Sequence, residues 1–268
     1  MSQKLKDMAK TVRQDIIKML AEAGSGHSAG SLGMADVMTA LYFQVLKHNP
    51  KKPLWDGRDR LVLSNGHIVP VRYACMARAG YFPVKSLMTL RKFGSKLQGH
   101  PSYHDMPALE SSTGSLGQGV GVAVGMALAA KLDKKKHFVY CVTSDGEHDE
   151  GSTWEAINAA HKYKLDNLIF IFDRNKIQIS GKTEKVWPLE PLKEKYLAFG
   201  WQVYEIDGHD FNQIIRTIDK AKKAKGKPKV IIAKVVPGKD VSFMEGKYEW
   251  HGKAPNKEEA EKALRELQ

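Results

Sequence analysis

Short apolar runs alternate along this chain with longer stretches in which apolar residues recur at helical spacing. The clearest runs are Phe138-Val139-Tyr140-Cys141-Val142 and Leu168-Ile169-Phe170-Ile171-Phe172, β-rich and uninterrupted, which read as buried strands. Between them Glu150 to Tyr163 has helical spacing, so the three form a β-α-β unit whose strands are parallel neighbours. Leu61-Val62-Leu63, Trp201 to Ile206 and Val230 to Val236 read as further strands. Helices are predicted over Leu5 to Ala23, ending at Gly24, and over Met34 to Leu46, which is too apolar to lie open. Others span Val71 to Ala79, Val84 to Phe93 and Phe211 to Ala224, and a polar helix capped by Asn256 runs to Leu267. A helix reaching Leu132 carries small residues from Gly119 to Ala130, which suggests close packing. Gly24 to Gly33 reads as a glycine-rich loop and Pro237 to Lys253 as an irregular one. The alternation predicts one α/β domain over residues 1–268, doubly wound, with a mostly parallel sheet and helices on both faces.

In that frame Asp145 and Asn175 fall just past the carboxyl ends of two adjacent strands, where ligands of open α/β sheets collect. Asp145 belongs to Thr143-Ser144-Asp145-Gly146-Glu147, and Asn175 follows about thirty residues later in Asp173-Arg174-Asn175. Carboxylate and amide oxygens are hard ligands suited to Mg²⁺ or Ca²⁺, and Mg²⁺ with few protein ligands completes its shell with phosphate oxygens and water. One reading is therefore a metal-held diphosphate. The other is a plain strand–turn–helix in which Asp145 caps the helix. The glycines from Gly114 to Gly121 do not form a dinucleotide site, because no strand leads into them and their spacing is wrong for Gly-x-Gly-x-x-Gly.

Composition narrows the class. The 268 residues are 42% hydrophobic and 27% charged, as in a soluble globular protein, with no secretory leader at Met1–Lys10 and no apolar run that would span a bilayer. Cys75 and Cys141 lie in apolar runs and read as buried free thiols of a reducing cytosol, so a cytoplasmic protein is expected. The formal net charge is +12, with basic stretches at Lys134–Lys136 and Lys220–Lys229. Those lysines are not interleaved with stacking aromatics, which disfavours a nucleic-acid platform and leaves a solvated basic surface.

Four histidines stand in glycine- or proline-rich loops: Gly26-His27, Asn65-Gly66-His67, Gly99-His100-Pro101 and Trp250-His251-Gly252. Their order and spacing resemble those of transketolases. Ser112 to Gly119 is similar to that family's Ser-Thr-Gly-x-Leu-Gly-Gln-Gly segment, and Asp145-Gly146-Glu147 with Glu150-Gly151 and Trp154-Glu155-Ala156 to its thiamine diphosphate motif. The resemblance covers the amino-terminal, diphosphate-gripping half of a usual transketolase. It implies the N-terminal subunit of a split enzyme, with the pyrimidine-binding and third domains on a partner chain, and a dimer of heterodimers. It implies thiamine diphosphate and Mg²⁺ or Ca²⁺, the metal held by Asp145, Asn175 and the carbonyl of Ile177. Gly146 and Glu147 would lie along the diphosphate with His67, and Gly114 and Leu116 would meet the aminopyrimidine. His27, His100 and His251 would face the thiazolium and the sugar hydroxyls, and Glu150 the partner's coenzyme-activating glutamate. The implied reaction moves a two-carbon ketol unit between sugar phosphates. The sequence departs from the family at Ser144, where glycine is usual, at Ser28-Ala29, where proline and a small residue are usual, and at Ile68-Val69. Alternatives are half of a 1-deoxyxylulose-5-phosphate synthase-like enzyme, or a non-catalytic coenzyme- or nucleic-acid-binding module.

Overall fold

The computed structural model describes residues 2–268. Five strands build its centre: β1 Arg60–Leu63, β2 Val139–Ser144, β3 Leu168–Arg174, β6 Gln202–Asp207 and β7 Lys229–Lys234. They form one parallel sheet in the order β1-β2-β3-β7-β6. A small antiparallel pair, β4 Ile177–Gln178 and β5 Gly181–Lys182, follows β3. The helices are α1 Ser2–Ala23, α2 Ser28–Gly33, α3 Ala35–Ala40, α4 Val69–Ala79, α5 Gln118–Leu132, α6 Gly151–Lys162, α7 Thr183–Val186, α8 Leu192–Ala198, α9 Phe211–Lys223 and α10 Lys257–Glu266.

Alternation along the buried strands sends side chains into two cores. Tyr140, Val142, Ile169, Ile171 and Ile231 join α1, α3, α4 and α9 on one face. Val139, Cys141, Phe170, Phe172, Val230 and Ile232 join α5, α6 and Trp201 on the other. Both faces are covered, so the strands carry unbroken apolar runs. The fold is the expected doubly wound α/β arrangement, and both cysteines are buried and unpaired. Among the described residues no helix is long and apolar enough to cross a membrane.

Three helical expectations change. Part of the glycine-rich loop is the buried helix α2. The stretch Met34 to Leu46 divides into α3 and a wider π-type turn over Leu41–Val45. Val84 to Phe93 shortens to a 3-10 segment, Val84–Thr89, before the chain turns through Arg91 at φ 60°. The helix after Asp145 begins only at Gly151, behind a 3-10 turn at Gly146–Asp149. Asp145 stands at the N-cap position of that 3-10 turn without a side-chain cap bond, and Glu150 takes the N-cap position of α6.

Candidate functional site

The carboxyl ends of β1, β2 and β3 open into one cleft. It is lined by Asn65 and His67 after β1, Ser144 at the end of β2 and Gly146 after it, and Asp173, Asn175 and Ile177 around the end of β3, with His27, Leu116 and His251 arriving from loops. Parallel pairing sets Ser144 opposite Asp173, which brings the two motif segments side by side.

Three of the four loop histidines, His27, His67 and His251, line this cleft, and His100 packs against His67. The ring centroids of His27 and His67 are 4.8 Å apart, those of His67 and His100 4.7 Å, and those of His27 and His251 5.7 Å. Gly114, at φ 135°, lets the backbone run against His100, since a Cβ there would fall 2.8 Å from the ring. Burial and the neighbouring His67 lower His27 to about 3; burial and His100 lower His67 to about 4. Burial also lowers His100, with help from Arg91, and lowers His251. The cluster is uncharged at neutral pH, and its rings can each accept or donate one proton. A depressed imidazole pKa contributes stability that is fully present above the unfolded value of about 6.5 and is lost as pH falls through the folded values. Imidazole ¹H–¹⁵N spectra at pH 5.5 should show His27 and His67 still neutral, and the melting temperature should drop between pH 6.5 and 4. Protonated signals for both rings at pH 5.5 would contradict the geometry.

Asp145 is buried, with Oδ1 accepting from Arg174 Nη1 at 2.7 Å and Oδ2 from the Lys176 amide at 2.5 Å and Thr183 Oγ1 at 3.3 Å. Burial pushes it up to about 6, against the pull of Arg174. The Arg174 guanidinium also reaches Glu184 at 2.8 Å and Glu190 at 2.6 Å, tying the 183–191 segment to the site. Asn175 donates to Asp173 at 2.9 Å and accepts from the Ile177 amide at 3.0 Å. Burial and the nearby Asp145 raise Asp173 well above the usual carboxylate range, and its Oδ2 has no partner.

Sequence reasoning left two features out. Asn65 is buried with both ends of its amide unpaired, and His27 Nδ1 is unpaired on the same cleft. Buried polar atoms are nearly always satisfied, so such a set on one cleft wall marks a place for a polar ligand. Asparagine after a strand is an ordinary turn residue, so only its burial reveals it. The second feature is the orientation of Glu147. Motif position sets it along the diphosphate, yet its carboxylate is turned inward and fully buried, accepting from Ser64 Oγ and from the Gly117 amide at 2.9 Å. It braces the Ser112–Gly117 loop against the end of β1, and burial pushes it up to about 7. Glu150 is exposed at the start of α6, where the chain could meet another surface.

By residue type a carboxylate, an amide oxygen and a backbone carbonyl suit a hard divalent cation. Here the Asp145 and Asn175 oxygens are engaged by Arg174, Lys176, Thr183 and the Ile177 amide, and the unpartnered oxygen on the cleft is Asp173 Oδ2. Among the described residues no group of three or more His, Cys, Asp or Glu is arranged for a metal. The orphaned Asn65 and His27 atoms equally fit a polar, anionic cofactor group.

Residues 4–267 match the family model described as transketolase, thiamine diphosphate binding domain. The chain is 43% identical over 264 residues to the 6-deoxy-6-sulfo-D-fructose transketolase subunit SqwG of Clostridium sp. (strain MSTE9), covering 98% of this chain and 96% of that one. It is also 43% identical over 264 residues to an apulose-4-phosphate transketolase subunit of Actinobacillus succinogenes, covering 98% and 95%. The crystal structure of transketolase from Campylobacter jejuni superposes with a TM-score of 0.93 at 37% identity, over 99% of this chain but 43% of that enzyme.

Proposed function

The chain belongs to the transketolase thiamine diphosphate-binding domain family, and on that footing we propose that it is the diphosphate-gripping subunit of a split transketolase. The reaction is transfer of a two-carbon ketol unit between sugar phosphates. The observation that carries this reading is a cluster of four neutral imidazoles, three of them on a cleft also lined by Asp173, Asn175 and an unsatisfied Asn65, with Asp145 buried beside the cleft-lining Gly146.

Bound thiamine diphosphate would supply the nucleophilic carbon and the electron sink for carbon–carbon cleavage. Asp145, Asn175 and the Ile177 carbonyl would hold Mg²⁺ or Ca²⁺, and Gly146 and His67 would lie at the diphosphate. Gly114 and Leu116 would meet the aminopyrimidine through backbone groups, with the loop held in place by Glu147. His27, His100 and His251 would take a proton from a ketose hydroxyl and hydrogen-bond the carbonyl oxygen as charge develops there. Their neutrality makes them able to accept that proton. The two similar subunits are named for different ketoses, so the donor sugar here is best sought with a panel of anionic ketoses.

A partner fits the surface. Helix α5 is largely apolar yet leaves Gly121, Val122, Gly125 and Leu132 exposed, and Ile179 and Trp187 are exposed on the segment that follows β3. Apolar faces of this kind mark interfaces. The cleft encloses about 230 Å³, below the roughly 300–1,000 Å³ of a complete small-molecule site. Half a site closed by a second chain, in a dimer of heterodimers, accounts for both features.

His100→Ala and His251→Ala should each lower turnover or sugar affinity by roughly 100-fold, the usual scale of a lost general acid–base group, while thiamine diphosphate still binds. Steady-state kinetics beside coenzyme calorimetry tests this. Collapse of coenzyme binding with normal sugar kinetics would reverse the roles. A product assay with xylulose 5-phosphate and ribose 5-phosphate separates ketol transfer from deoxyxylulose phosphate synthesis.

A further inference from the structure

The irregular segment that carries His251 has no strand to pair with, yet its imidazole must meet His27 across 5.7 Å. Ser242 ties the segment to Glu266, Lys253 ties it to Glu259, and α2 holds it at both ends. At the start of the segment, the Gly238 amide donates to the Ala29 carbonyl at 2.8 Å, and Gly33 abuts Val236, whose carbonyl would lie 2.9 Å from a Cβ. At its far end Ser28 is the side chain of α2 that reaches across. Its hydroxyl is fully buried, 2.6 Å from the Lys253 carbonyl and 3.2 Å from that of Trp250. Those two carbonyls flank His251-Gly252 on either side. Gly252 in turn lies against the His27 ring, where a Cβ would be 3.7 Å from Nε2.

We propose that Ser28 is a positioning residue for His251. One hydroxyl proton is shared between the two carbonyls that bracket the histidine, with the shorter bond to Lys253. The bracketed turn is thereby held against the residue adjoining His27, so the two imidazoles keep their spacing through a single side chain. The anchor at Gly238 uses backbone only and does not depend on Ser28, so loss of the hydroxyl frees the His251 end and leaves the other attached.

Ser28 opens α2 directly after His27, a position where proline is tolerated because the first-turn amides have no intrahelical partner. Ser28→Pro therefore removes the hydroxyl while respecting the helix, and it guards against the chance that Ser28→Ala leaves a void that unfolds the region. In hydrogen exchange on the full chain, both variants should show amides of residues 248–253 exchanging about tenfold faster, the scale of one net hydrogen bond. Amides of α1 and of the 238–246 stretch should be unchanged. A folded Ser28→Pro chain with wild-type exchange at 248–253 would overturn the proposal. Its consequence for catalysis rests on the reading of His251 as sugar-facing. In the assembled enzyme the sugar KM should rise with thiamine diphosphate affinity unchanged. Faster exchange with unaltered sugar kinetics would leave the clamp standing and refute that reading of His251 instead.

Discussion

Asp145→Ala is expected to abolish Mg²⁺-dependent retention of thiamine diphosphate. The carboxylate stands one residue past β2, beside the turn that carries Asn175 and Ile177. It does two things at once. It offers the one formal negative charge of the proposed ligand set, and it accepts from the amide of Lys176, a residue at φ 62°, which holds that turn in its left-handed bend. Alanine removes both. Outer-sphere partners of a metal commonly cost 10–100-fold when mutated, so a ligand that also shapes the turn should cost more than about 100-fold. The fold should survive, because Arg174 keeps Glu184 and Glu190 when Asp145 is gone. Asp145→Asn refines the test: it keeps an acceptor for Lys176 while removing the charge, so it should retain the turn and still lose the ion. Calorimetric titration of coenzyme with and without Mg²⁺, on variants whose circular dichroism matches wild type, reads this directly. Unchanged affinity in Asp145→Ala would refute the metal assignment.

The central sheet was legible because strands buried on both faces need apolar residues at every position, and 138–142 and 168–172 supply them. The same logic hid the breaks at Met34 and Leu41. A segment buried on all sides has no polar face, so nothing in its periodicity marks where one helix stops and a wider turn begins. The histidines were legible only as a set. Each loop alone accommodates a structural imidazole, and the tertiary fold, not sequence distance, places four rings within a few ångströms. Glu147 was the opposite case. Its neighbour Gly146 lines the cleft, but the 3-10 turn rotates Glu147 inward toward Ser64 and Gly117. Motif membership does not fix the direction of a side chain, and a turn of tighter pitch redirects it.

The chain assayed alone, with Mg²⁺ and thiamine diphosphate, should show no ketol transfer, and adding a second polypeptide with the pyrimidine-binding function should restore it. The resemblance to transketolases implies that a carboxylate activates the aminopyrimidine. Around Gly114 and Leu116 the chain presents backbone and an aliphatic side chain. Glu147 is committed to Ser64 and Gly117, and Glu150 is exposed at the beginning of α6. Glu147 is thus turned away from the cleft, and Glu150 is open to a carboxylate supplied from outside. The exposed apolar residues agree: Leu132 is 73% exposed, Ile179 71% and Trp187 64%, on a chain whose cleft is small for a whole coenzyme. The two similar proteins are matched over 96% and 95% of their own lengths and are themselves named as subunits. A coenzyme held by its diphosphate alone would be mobile at the reacting carbon, and misplacement by about 1 Å can cost on the order of 100-fold. The measurement is a coupled assay with xylulose 5-phosphate and ribose 5-phosphate, run on the purified chain and then on the reconstituted pair, with analytical ultracentrifugation of both. Turnover appearing only with the pair, together with a shift to a larger species, supports a shared site. Robust turnover by the chain alone would mean that it closes and activates the coenzyme unaided, and the split-enzyme proposal would fall.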